Sequence, residues 1–150
     1  MHKLFIILAN LKVLCFNSLV KCVQKYEVIT KRNAEEEMNL YPNEMLNKVE
    51  DITIEFIQKN KLKALILDVD NTLIDYNKNL SEEKIKWGKN LKGQGVKLYI
   101  LSNSNKKEKV KKVAEELGIP YILFAKKPFK SGFTKIQKEL QLKPEQIGVV

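Results

Sequence analysis

Asp68 and Asp70 stand two residues apart in the run Asp68-Val-Asp-Asn-Thr72. In extended backbone, side chains at i and i+2 leave on the same side, so both carboxylates can address one phosphorus atom. Their tasks then diverge. One has to stay ionised, as a nucleophile or as a ligand to a divalent cation. The other has to give a proton to a leaving oxygen and later take one from water. Backbone amides of the turn at Asn71 and Thr72 can hold phosphate oxygens. Ser102 adds a hydroxyl, Asn103 an amide, and Lys127, the lysine before Pro128, a charge that can offset a transferring phosphoryl group. Each has a plainer reading: Ser102 as a helix cap, Lys127 as a solvated surface lysine. The acidic pair does not fit an EF-hand, because a loop begun at Asp68 puts Leu73 where glycine is required.

The elements around these residues explain why they should meet. Lys63-Ala-Leu-Ile-Leu67 is a short apolar run that reads as a buried strand ending at Asp68. Ser81 caps a helix with Glu82 and Glu83 in its first turn, closed by Gly93 and Gly95. That glycine pair precedes a strand and lacks the third glycine of a dinucleotide-binding turn. Val96–Leu101 reads as a second strand. Val110, Val113, Ala114 and Leu117 then repeat at helical spacing, with Gly118 as C-terminal cap. Tyr121–Ala125 reads as a third strand, Phe133, Ile136 and Leu140 mark another helix face, and Ile147–Val150 begins a fourth strand. This alternation predicts a three-layer α/β fold with a Rossmann-like parallel sheet. Ligands bind such sheets at the carboxyl ends of the strands, where Asp68–Thr72, Ser102–Asn105 and Lys126-Lys127 all fall.

Composition narrows the chemistry. The chain has 150 residues, with 27 Lys+Arg against 18 Asp+Glu and a net charge of +9, which favours anionic partners. The charged run Lys106–Lys112 reads as a solvated helix face, and nucleic acid is not expected as a partner. His2 is the sole histidine, so a Ser-His-Asp or Cys-His mechanism lacks a base. Cys15 and Cys22 have no further cysteine to complete a zinc site and read as free thiols in a reducing, cytoplasmic compartment. Residues 4–23 are mostly apolar, but Lys12 near the centre disfavours a membrane span. On a helical wheel they suit an amphipathic helix lying peripherally on a membrane surface. Residues 1–37 are therefore expected to be an N-terminal extension, this segment plus a charged linker, dispensable for activity, with the domain at 38–150. Met1 and Met38 are both candidate starts.

Asp68-Val-Asp-Asn-Thr-Leu73, Ser102-Asn-Ser104 and Lys127-Pro128 resemble motifs one, two and three of the haloacid-dehalogenase (HAD) superfamily. From about Leu40 onward the chain resembles YqeG-type subfamily IIIA phosphatases, related to phosphatidylglycerophosphate phosphatases, through Tyr41-Pro, Val49-Glu-Asp-Ile-Thr53, Leu117-Gly-Ile-Pro120 and Ala125-Lys-Lys-Pro128. The resemblance implies that Asp68 attacks phosphate to give an aspartyl-phosphate, with Asp70 as general acid and then general base. It implies Mg²⁺ on the Asp68 carboxylate and the Asp70 carbonyl, phosphoryl stabilisation by Ser102 and Lys127, and a cradle completed by Asn71, Thr72 and Asn103. It also implies an acidic fourth motif after a fourth strand. Because the sequence ends at Val150, inside that strand, the 150-residue chain is expected to be poorly active by itself. The spacing of the motifs leaves room for crossover helices but none for a cap domain, so the site should be open. The expected substrate is a phosphomonoester, with phosphatidylglycerophosphate as one candidate. The rival readings are a cap-less phosphatase for a soluble sugar phosphate or nucleic acid end, and a non-catalytic HAD-like binding module.

Overall fold

The structure, a computed structural model, describes residues 4–8, 44–74, 79–125 and 131–150. Its six-stranded sheet has two antiparallel strands on one edge, β1 (Leu4–Leu8) and β2 (Glu44–Leu46), beside four parallel strands: β3 (Ala64–Leu67), β4 (Lys97–Leu101), β5 (Tyr121–Ile122) and β6 (Ile147–Val149). The spatial order is β2-β1-β6-β3-β4-β5. β3 pairs in parallel with β4 on one side and with β6 on the other. After β3 the chain moves outward to β4 and β5, then returns to the opposite side of β3 as β6. The strand order therefore reverses at β3, and its carboxyl end opens on the crevice where such sheets bind ligands.

Helices α1 (Ile54–Lys59), α2 (Glu82–Gly93) and α3 (Lys107–Leu117) precede α4 (Ser131–Leu140) in the chain. Successive strand residues face opposite layers. Leu65, Leu67, Leu98 and Ile100 pack with Ile57, Trp87, Leu91, Val110, Val113 and Leu117. Ala64, Ile66, Tyr99 and Leu101 pack with Phe133 and Ile136 of α4. The three layers are those expected from the alternating pattern, and among the described residues no cap domain interrupts them. The caps agree at residue level too: the Ser81 hydroxyl accepts from the Lys84 amide, and Gly118 closes α3 at φ 60°. Trp87, whose role the sequence leaves open, is a core residue that donates its indole N–H to the Ile52 carbonyl at 2.9 Å.

Two expectations change. Leu4–Leu8 does not open a helix: it is a strand, antiparallel to β2 (Leu4↔Leu46) and to β6 (Ile7↔Val149). Five consecutive apolar residues carry no face preference, and isoleucines and phenylalanine suit a strand wherever a sheet edge offers backbone partners. The remainder of the expected amphipathic segment and the Lys31–Glu37 linker lie outside the described residues. The third strand is also shorter than expected, because Phe124 adopts a positive φ of 50° that ends extended pairing after Ile122.

Tyr99 shows how the α4 layer is tied down. Its hydroxyl donates to Glu139 Oε2 at 3.0 Å, and burial, reinforced by that acceptor and its charge, raises its pKa to about 12 from the ordinary 10.0. The folded state thus holds the phenolic proton more tightly than the unfolded chain. The associated stability is complete below pH 10.0 and is lost as pH rises toward about 12. Tyr99→Phe should lose less stability than the parent across that window; urea unfolding at stepped alkaline pH measures the difference, and parallel curves for the two proteins would rule it out.

Candidate active site

The site grows from the end of β3. Asp68 follows directly, half-buried, and its amide N–H donates to the Val150 carbonyl at 3.0 Å, while the Val150 amide donates to Ile66 at 2.9 Å. The ladder with β6 therefore runs up to the acidic residue itself, which fixes its backbone. Val69 is fully buried and turns the chain inward. Its carbonyl accepts from the amides of both Leu73 and Ile74 at 3.1 Å, closing a tight loop that lifts Asp70 and Asn71 to the surface. Asn71 takes φ 62°, a left-handed conformation that asparagine tolerates better than most side chains. The parallel bridge between Asp70 and Ile74 keeps this turn closed, with the Asn71 and Thr72 amides within it. The loop is held from outside by Lys84 of α2, whose Nζ donates to the Thr72 carbonyl at 2.9 Å.

Asp70 reaches across to α3. Its Oδ1 forms an ion pair with Lys109 Nζ; the Asp70 side chain is 50% exposed and that of Lys109 17%. Ser102 follows β4, the strand adjacent to β3, and is buried. It does not cap α3, whose N-cap is Lys106; its Oγ instead accepts from the Ser104 amide at 3.1 Å. A hydroxyl that accepts still has a proton to donate, and here it belongs to the loop beside Asp68. Asn103 is exposed in the same loop. Asp68, Asp70, Asn71, Thr72, Ser102 and Asn103 therefore all leave the carboxyl ends of two neighbouring strands. Lys127, like Lys126 and Tyr76, lies outside the described residues.

Lys109 is the residue that sequence reading passed over, by absorbing it into a solvated charge run. Its place beside buried Val110 was the available signal: on a helix, it borders the face turned to the sheet.

The profile of the haloacid dehalogenase-like hydrolase family matches residues 65–126, from within β3 to the residue before the third predicted motif. A probable phosphatase, YqeG of Bacillus subtilis (strain 168), is 34% identical over 110 residues, covering 73% of this chain and 63% of that protein. In sequence the chain is similar to haloacid dehalogenase-like hydrolases. Two solved structures share its fold. One is a probable YrbI family phosphatase from Pseudomonas syringae pv. phaseolica 1448a, with TM-score 0.52, 24% identity and coverage of 63% of this chain and 60% of that one. The other is a putative 3-deoxy-D-manno-octulosonate 8-phosphate phosphatase from Vibrio cholerae, with TM-score 0.51, 19% identity and coverage of 64% and 59%. The chain thus spans a little under two thirds of the length of these relatives. Among the described residues no helix is long and apolar enough to cross a membrane.

Lys84→Met should remove the bond that anchors the acidic loop at Thr72 and cost about 1 kcal/mol. Urea unfolding should show a lower midpoint at unchanged slope; an unmoved midpoint would mean that the Thr72 carbonyl does not depend on Lys84.

Proposed function

We propose that this protein hydrolyses phosphomonoesters through an aspartyl-phosphate at Asp68. The observation that carries the reading is the placement of both carboxylates and Ser102 at adjacent strand ends where the strand order reverses. In the first step an Asp68 carboxylate oxygen forms a bond to phosphorus as the ester P–O bond breaks. Asp70 gives its proton to the departing alkoxide, which leaves as an alcohol. In the second step water attacks the same phosphorus, Asp70 takes the proton from that water, and the acyl-phosphate bond breaks to return Asp68 and free phosphate. The amides of Asn71 and Thr72, with Ser102, Asn103 and Lys127, receive the phosphoryl oxygens.

The donor chemistry suits Mg²⁺. The Asp68 carboxylate and the Asp70 carbonyl are hard oxygen donors, the kind that Mg²⁺ takes. Mg²⁺ is ordinarily held by one or two carboxylates, with waters and substrate phosphate completing its shell. When bound it supplies charge neutralisation at the phosphoryl oxygens. The site is uncapped among the described residues, which admits large as well as small esters, phosphatidylglycerophosphate among them.

Phosphate release from p-nitrophenyl phosphate with and without Mg²⁺ tests this. Asp68→Asn should abolish metal-dependent release, and Asp70→Asn should slow it by roughly 10²–10⁴-fold. Release that survives Asp68→Asn at the parental rate would overturn the mechanism.

A further inference from the structure

Next to Lys109, the partner of Asp70, lies a cavity of about 200 Å³ between Asn79-Leu80 and α3, lined also by Lys112, Val113 and Glu116. It is linked to the acidic loop through Lys109, which forms part of its wall and pairs with Asp70. Asp70 is the group that meets the leaving oxygen in the proposed reaction, so the body of the departing alcohol has to lie on this side. The cavity is smaller than the roughly 300–1,000 Å³ of pockets that enclose a drug-sized ligand, which suits a sugar- or glycerol-sized head rather than a whole lipid. Its apolar lining is Val113 and Leu80, and its polar lining is Asn79, Glu116 and two lysines, which leaves one net positive charge on these side chains. Lys112 is loosely held by Glu116 one turn on, at 3.8 Å, with the lysine side chain 77% exposed. Lys109 is the more enclosed, and the Asp70 carboxylate occupies only part of the donor capacity of its three-proton ammonium.

We propose that this cavity is the leaving-group subsite, that it takes an alcohol bearing a second acidic group, and that Lys109 both positions the Asp70 carboxylate and binds that group. The proposal rests on the phosphatase reading. The shared ligand chemistry is a phosphomonoester with a carboxylate or phosphodiester on its leaving alcohol, and a soluble acid and a lipid head group both supply it.

Two measurements separate this proposal from the reading beneath it. Calorimetric binding to Asp68→Asn protein compares 3-phosphoglycerate, which carries a carboxylate, with glycerol 3-phosphate, which does not. The acid should bind about tenfold tighter, Lys109→Gln should erase that preference, and Lys109→Arg should restore most of it. Equal binding of the two ligands, or a preference that survives Lys109→Gln, would overturn the subsite whether or not the protein is a phosphatase. In turnover, Lys109→Gln should lower kcat on p-nitrophenyl phosphate through loss of positioning, and lower kcat/KM further on acidic substrates. Phosphatidylglycerophosphate in detergent micelles tests the lipid source: a preference for it over 3-phosphoglycerate that is lost in Lys109→Gln assigns the subsite to a lipid head, and the reverse order assigns it to a soluble acid. Failure of p-nitrophenyl phosphate turnover with intact acid-selective binding would remove the phosphatase reading and with it the leaving-group role, leaving Lys109 as an anion-binding residue.

Discussion

The position of the site depends on β3 being paired on both sides up to its last residue. A central parallel strand can place a side chain only where its register allows, and here Leu67↔Ile100 on one side and Ile66↔Val149 on the other set that register. The Asp68–Val150 hydrogen bond extends it into the loop. The pairing is stable because β3 is buried on both faces: Leu65 and Leu67 belong to one core cluster, and Ala64 and Ile66 to the other. Slipping by one residue would exchange the two sets and misplace Asp68 together with them.

What the strand fixes, the loop then divides. Buried Val69 holds the turn from below, Lys84 anchors Thr72 from the side, and Lys109 receives Asp70 from α3. Asp68 stays half-buried at the strand end while Asp70 is carried to the surface. Two identical side chains two residues apart thereby acquire different surroundings, as the proposed division into nucleophile and proton carrier requires. The helices contribute more than cover: α2 and α3 each send one lysine to this loop.

Legibility in the sequence followed the strength of local pattern. The parallel core was readable because buried strands and amphipathic helices alternate with clear punctuation: Ser81 and Gly118 perform the capping roles that their types announce. The run Leu4–Leu8 was not readable, since its partners Glu44–Leu46 and Ile147–Val149 are distant in sequence and only tertiary pairing decides between strand and helix. The acidic loop and Ser102 were placed correctly at strand ends, but the Asp70–Lys109 pair was hidden. A lysine in a charged run looks solvated until the helix is docked, and docking is set by Val110 and Val113 packing into the core.

The most direct test of the account is chemical trapping of the acyl-phosphate. Protein turning over substrate is acid-quenched, reduced with borohydride and mapped by peptide mass spectrometry. Conversion of residue 68 alone from aspartate to homoserine, dependent on both substrate and Mg²⁺, is the predicted result. Phosphate release at an undiminished rate with no reduction at Asp68, or with reduction at Asp70 instead, would contradict it.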